Sequence, residues 1–99
     1  MPNLAYQKGR NYEYRTMRLL EKEGYACFRT AGSHTQIDVL AFLQKEKLEY
    51  PVIRAIQCKA MKYISKKDIE ELKSFFLPLI VRKEIWHYRL RKEVKIIVC

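Results

Sequence analysis

Two hydrophobic periods run along this chain, and they divide it cleanly. From Gln7 to Glu23 the spacing is helical: Tyr12, Leu19 and Leu20 share a stripe with Thr16 and Glu23 nearby, while Arg10, Arg15, Arg18 and Lys22 occupy the rest. Gly24 follows where a left-handed helix cap is wanted. The period then shortens. Tyr25 to Ala31 predicts a strand, Gly32-Ser33-His34-Thr35 a loop, and Ile37 to Leu43 a second strand. Gln44 to Tyr50 is a charged hairpin loop, and Pro51 precedes a third strand over Val52 to Lys59, where its missing N–H is tolerable. Ser65 and Asp68 have the spacing of a helix cap, Ile69, Leu72, Phe75 and Phe76 are spaced for one buried helical face, and Pro78 is placed to stop that helix. Leu79 to Val81, Ile85 to Leu90 and Val94 to Val98 predict later strands. The order α-β-β-β-α-β-β-β implies an α/β fold, with a mixed central sheet, flanking helices and an antiparallel first meander. No repeat, low-complexity tract or Gly/Ser linker interrupts it, so residues 1–99 read as a single domain with a loose start over residues 1–5.

Composition narrows the function. Hydrophobic residues make up 48% of the 99, enough for a real core and against global disorder. A domain of this size favours a shallow, charged site for a large substrate over an enclosed metabolite pocket. Twenty Lys and Arg face eleven Asp and Glu, a formal net charge of +9. A thermophilic-type surface rich in Lys and Glu would explain the number of charges but not their sign. The imbalance points to a nucleic-acid partner, because each phosphate contacted releases condensed counterions. An anionic membrane surface is a further option, but no apolar run reaches the ~20 residues of a spanning helix. No secretory leader opens the sequence. Cys27, Cys58 and Cys99 lie far apart, with no zinc spacing and no disulfide framework, which suggests reduced, buried thiols and a cytoplasmic protein.

Two polar residues sit on apolar runs where they are costly unless they meet a partner: Asp38 at the start of Ile37-Asp38-Val39-Leu40-Ala41-Phe42-Leu43, and Lys59 at the end of Val52 to Lys59. Strand alternation puts Asp38 on a face with Leu40 and Phe42, and Gln57 with Lys59. If the two strands are hairpin neighbours, Asp38, Gln57 and Lys59 converge, and Glu13 on the preceding helix can close the cluster. Phosphodiester hydrolysis uses these groups. A carboxylate holds a hard divalent cation, and a lysine orients the attacking water or stabilises the phosphorane. Each residue also has a plain reading. Asp38 suits a solvated strand end, Glu13 a solvated helix face and Ser33 a turn with Gly32. His34 suits an exposed loop and His87 packing within a Trp/Tyr strand.

The ordered set resembles the PD-(D/E)XK nuclease superfamily and, within it, the archaeal-type Holliday-junction resolvases. The resemblance rests on Lys8-Gly9-Arg10 with Glu13, Gly24-Tyr25, Arg29-Thr30-Ala31-Gly32-Ser33, Asp38-Val39-Leu40-Ala41 and Gln57-Cys58-Lys59, with a similar segment from Tyr63 to Phe76. It implies a restriction-endonuclease-like core, a Mg²⁺ site (Mn²⁺ able to substitute) at Glu13, Asp38 and Gln57, and Lys59 as the catalytic lysine. Ser33 would assist at the scissile phosphate. It further implies a symmetric homodimer acting on branched DNA. Two departures keep other readings open. The acidic position is Gln57, a Gln-x-Lys variant also found in Mrr-type duplex nucleases, and a neutral ligand leaves room for an inactive DNA-binding module or a subunit whose chemistry lies elsewhere. The region after Phe76 is short, and Ile85 to Leu90 only loosely matches the family's late Trp strand. Candidate phosphate contacts are Arg10, Arg15, Arg29, Lys62, Lys66 and Lys67. The aromatics Tyr6, Tyr12, Tyr14, Tyr25 and Trp86 suit core or interface. The later apolar residues Leu79, Ile80, Val81, Ile85, Trp86, Ile96, Ile97 and Val98 exceed what so small a domain buries, so dimerisation is expected through that half.

Overall fold

Gly24, at φ 99°, turns the end of α1 (Leu4–Lys22) into β1 (Tyr25–Arg29). A side chain there would meet open space, so the demand for glycine is conformational. The computed structural model describes residues 4–30, 36–45, 49–77, 81–90 and 93–99. β1 pairs antiparallel with β2 (Val39–Leu43), and β2 antiparallel with β3 (Ile53–Lys59), forming the expected meander. After β3 the chain crosses over through α2 (Lys66–Ser74) and returns as β4 (Arg82–Leu90), parallel to β3. A crossover helix is what a parallel pair requires. β5 (Glu93–Val98) closes the sheet antiparallel to β4, in the order β1-β2-β3-β4-β5.

Each helix covers one face. Under α1 lie Leu20, Tyr25, Val39, Ala41, Ile56, Trp86 and Tyr88. Under α2 lie Ile37, Ala55, Leu72 and Ile85, with Ile69 and Phe75 packed against them. The predicted cap of α2 is a full capping box: Asp68 N–H donates to Ser65 Oγ at 3.1 Å, and Ser65 N–H donates to Asp68 Oδ2 at 3.0 Å. The expected stop is displaced. α2 ends at Ser74, and Pro78 lies outside the described residues. Lys83 on β4 holds that end, donating from Nζ to the carbonyls of Leu72, Lys73 and Phe75 at 3.2, 2.6 and 2.8 Å. An ammonium there satisfies carbonyls that the helix leaves unpaired.

Other boundaries need correction. α1 begins at Leu4 rather than Gln7, β1 ends at Arg29 rather than Ala31, and β2 begins at Val39 rather than Ile37. Among the described residues two strands follow α2, and the expected strand from Leu79 to Val81 lies mostly outside them. Leu79 and Ile80 lie outside the described residues, Val81 precedes the strand, and β4 starts three residues before Ile85. The early start was hidden because Arg82, Lys83 and Glu84 are charged. Glu84 is nevertheless fully buried. Arg54 grips it with Nε at 3.1 and 2.9 Å and Nη2 at 2.7 Å, Arg82 Nε lies 2.6 Å from it, and Trp86 Nε1–H donates to it at 2.9 Å. Arg54 also reaches Glu23 at 3.4 Å and stacks over Tyr25 and Trp86. The apolar excess of the late strands is smaller than the sequence suggests. Ile85 and Trp86 are core, whereas Ile96 and Val98 remain exposed. The three cysteines are free and half-buried, where buried thiols were expected.

Candidate active site

Asp38 lies one residue before β2, at a break in the two-residue alternation. Ile37 packs under α2, but Val39 packs under α1, although strict alternation would put both on one face. Asp38 N–H donates to Ile56 O at 2.8 Å, while Val39 is the register partner of the same Ile56. Two consecutive residues thus address one, the kind of local irregularity that re-aims a side chain. Simple alternation therefore does not fix which face Asp38 takes. Its direction is set instead by the main chain of β3: Oδ2 accepts the Cys58 N–H at 2.8 Å. The approach is held from β1, where Thr30 N–H donates to Asp38 O at 3.0 Å and Thr30 Oγ1 donates to Ile37 O.

Gln57 and Lys59 share a face of β3, as predicted. Their register partners on β4 are Ile85 and His87. The Gln57 side-chain oxygen is buried and has no hydrogen-bond partner among the described residues. Lys59 Nζ lies 3.2 Å from Asp68 Oδ1. Asp68 therefore has two tasks, capping α2 and holding Lys59, and its bonds to Ser65 and Lys59 keep its carboxyl below the usual range. The sequence showed Asp68 only as a cap. The tie to Lys59 depends on the crossover that brings α2 back along β3.

Glu13 approaches from α1. Arg29 Nη1 lies 3.3 Å from its Oε1, and the Arg29 guanidinium stacks 4.9 Å from the Tyr14 ring centroid. Burial raises the Glu13 carboxyl above its ordinary value, the Asp38 charge raises it further, and Arg29 opposes both. Burial also raises Asp38, against the Cys58 N–H and the Lys59 charge. Also on α1, Thr16 Oγ1 donates to Tyr12 O at 2.8 Å, meets the Tyr88 hydroxyl at 2.5 Å and lies 3.3 Å from Cys58 Sγ. Burial pushes the Cys58 thiol up to about 12 and the Tyr88 hydroxyl up to about 12. Both are inert posts at neutral pH, holding α1 against the strand that carries Gln57 and Lys59.

The donor set suits a hard cation. Among the described residues no three His, Cys, Asp or Glu gather as a metal cluster. The candidate donors Glu13, Asp38 and Gln57 are two carboxylates and one amide oxygen, all oxygen, as a magnesium-type ion prefers. A buried amide oxygen without a partner is costly unless a cation or donor completes it. Two carboxylates raised by burial, one of them also by the other's charge, point the same way.

The remaining predicted residues fall in several places. Ser33 and His34 lie outside the described residues. Arg10 and Arg15 are half-buried, and Arg15 stacks 5.2 Å from the Tyr88 ring centroid. Arg29 is engaged with Glu13. Lys62 and Lys66 are exposed, and Lys67 lies 3.9 Å from Glu71 in an exposed helical pair. His87 is buried as packing predicts, with Nε2 2.5 Å from Met61 O.

A family model described as archaeal Holliday junction resolvase (Hjc) matches residues 4–94. The chain belongs to this family. The match extends past Phe76 and takes in the Trp86 strand. Over 70 residues the chain is 43% identical to the crossover junction endodeoxyribonuclease Hjc of Methanocaldococcus jannaschii, covering 71% of this chain and 50% of that protein. It thus spans about half the length of that curated relative. The structure of Archaeoglobus fulgidus Hjc, described as a Holliday junction resolvase from an archaeal hyperthermophile, aligns with a TM-score of 0.67 at 22% identity, over 92% of this chain and 72% of that one. The five-stranded mixed sheet with two helices is therefore the α/β nuclease-like fold of Hjc. Among the described residues no helix is long and apolar enough to cross a membrane.

Proposed function

We propose that this Hjc-family chain is a metal-dependent endodeoxyribonuclease that cuts four-way DNA junctions, with the chemistry carried by one domain over residues 1–99. The buried, partnerless Gln57 oxygen, two residues from Lys59 and on the strand whose amide holds Asp38, carries this reading. Asp38, Glu13 and Gln57 supply the oxygen ligands. Mg²⁺ is the cation their hardness suits, with Mn²⁺ able to substitute. Such a cation, when bound, polarises the scissile phosphate and lowers the cost of deprotonating water. The protein's own share is positioning. The Cys58 N–H fixes Asp38, Arg29 steadies Glu13, and Asp68 holds the Lys59 ammonium where it meets the charge that builds on phosphorus. Ser33 is assigned to the scissile phosphate on the strength of the family resemblance. Lys62 and Lys66, with Arg10, Arg15, Arg29 and Lys67, supply a positive field for the DNA backbone.

A cytoplasmic homodimer fits this reading, because two-fold pairing sets two centres on a two-fold substrate, and the exposed Ile96 and Val98 give the late strands an apolar edge. The test is cleavage of a labelled four-way junction beside a matched linear duplex, in Mg²⁺ and in Mn²⁺, with Asp38→Ala as control. Paired cuts confined to the junction, reduced at least about a thousandfold in Asp38→Ala, are the expected result. Equal cutting of the duplex would move the chain to an Mrr-like activity. Binding without cutting in either cation would leave a DNA-binding module that has lost its chemistry at Gln57.

A further inference from the structure

Lys59 begins a basic row that crosses the sheet. The parallel register of β3 and β4 sets Lys59 against His87, and the antiparallel register of β4 and β5 sets His87 against Lys95. Register partners project from the same face, so the three side chains stand at one level on the α2 side. The row ends at a surface cavity of about 220 Å³ lined by Lys62, Tyr63, His87, Arg89 and Lys95 over Ile97. Among the described residues no carboxylate lines it. Among the described residues Lys62, Arg89 and Lys95 form no ion pair, in contrast to Arg29, Arg54 and Lys59. Arg89 and Lys95 are exposed. One partly buried contact sits beside the cavity. The Met61 carbonyl can only accept, so the His87 Nε2 at 2.5 Å carries the hydrogen, and that bond pins the Lys62-Tyr63 segment beside the sheet. Lys62 Nζ stands 5.6 Å from the centroid of the Tyr63 ring, which is itself 69% exposed.

Three unpaired cations, an open aromatic ring and an apolar floor fit one phosphodiester with its sugar. The volume falls below the ~300 Å³ at which enclosed small-molecule sites begin. We propose that this cavity is a phosphate subsite for the DNA strand leaving the cleavage centre. Arg89 and Lys95 hold the phosphate, and Tyr63 lies against the neighbouring sugar or base. The inference rests on the nuclease reading above and adds the path of the strand. Two sheet spacings of about 4.8 Å separate Lys59 from Lys95, roughly 10 Å in all. Against a rise of about 3.4 Å per phosphate of one strand along the duplex axis, the subsite lies about three nucleotides from the cut for a duplex arm laid along the row.

The experiment measures binding of wild type, the Arg89→Ala/Lys95→Ala double variant and a Lys22→Ala/Lys45→Ala control to a four-way junction without divalent cation, from 50 to 200 mM salt. All four positions are exposed, and Lys22 and Lys45 sit at the end of α1 and beyond β2, remote from Asp38. Each lost phosphate contact lowers the slope of log K against log salt by about one. The expected result is a slope reduced by about two in the Arg89/Lys95 variant and unchanged in the control. In Mg²⁺, wild-type cleavage is also expected to slow when a single neutral methylphosphonate replaces the linkage two to four nucleotides from the cut on one side, and the variant to ignore that replacement. A wild-type slope retained in the Arg89/Lys95 variant, or the same methylphosphonate penalty in both proteins, would overturn the subsite while leaving the nuclease reading intact. A wild type that neither binds nor cuts junction DNA would remove both.

Discussion

The two ends of β3 bury polar groups in opposite ways. At its start, Arg54 and Glu84 face each other with every strong donor matched: three Arg54 contacts, Arg82 and the Trp86 N–H all fall on one carboxylate. At its end, among the described residues, the Asp38 carboxylate takes one main-chain N–H and Gln57 leaves its oxygen without a partner, and burial raises the carboxyls of Asp38 and Glu13. One strand therefore carries a closed network and an open one. Burial alone did not distinguish them, since Glu84 is more buried than any group of the candidate site. Pairing did. A closed network holds the fold, and the open one leaves oxygens for the cation proposed above.

The sharpest way to break this comparison is at the closed end. Glu84→Ala strands Arg54 in the core and should cost about 3–5 kcal/mol, the usual penalty for half a buried pair. Denaturant unfolding would show it, while the folded fraction should still bind a divalent cation. Loss of cation binding by the folded variant would mean that the two ends are one network.

Asp68→Asn probes the open end from outside. It weakens the hold on Lys59 and should lower kcat roughly tenfold, about 1.4 kcal/mol of barrier, with little change in KM. Asp68→Glu should restore part of that loss, because it keeps the charge. A fall in stability with kcat intact would leave Asp68 only as the cap of α2.

Gln57→Glu should tighten cation binding several-fold and preserve or raise cleavage, since a charged oxygen suits a hard ion better than a neutral one. Lost activity on that change would give the amide a specific role.

The smallest effect is one of pH. Asp38 has its folded value raised, so ionising it works against the folded state, a cost that is absent below its unfolded range and complete above the folded value. Asp38→Asn should therefore be more stable than wild type at pH 7, and the advantage should shrink as pH falls toward the carboxylate range. Thermal melts of both proteins across that window check it. A wild type more stable than Asp38→Asn at pH 7 without cation would contradict the raised value.

Much of this was legible in the sequence where the signal is local. Gly24, the Ser65–Asp68 cap and the alternating runs of β2 and β3 each announce themselves within a few residues, and the α-β-β-β-α-β order follows. The family resemblance rested on those same segments and extends further along the chain than they do. What escaped the sequence was nonlocal. Arg54 and Glu84 stand thirty residues apart, and their pairing turns a charged stretch into the start of β4. Lys59 meets Asp68 only because α2 folds back along the strand it follows. The register that lines up Lys59, His87 and Lys95 spans three strands. Asp38 was identified by its type and place, but its direction could not be read from alternation, because the alternation breaks at that residue.

The central claim is that the open end takes a cation, and Mn²⁺ binding followed by electron paramagnetic resonance at pH 7 tests it without DNA. The account predicts one Mn²⁺ per chain in wild type and in Lys22→Ala, binding at least about tenfold weaker in Gln57→Leu, a loss of about 1.4 kcal/mol, and none in Asp38→Asn. Equal binding by all four proteins, or no binding by wild type, would contradict it.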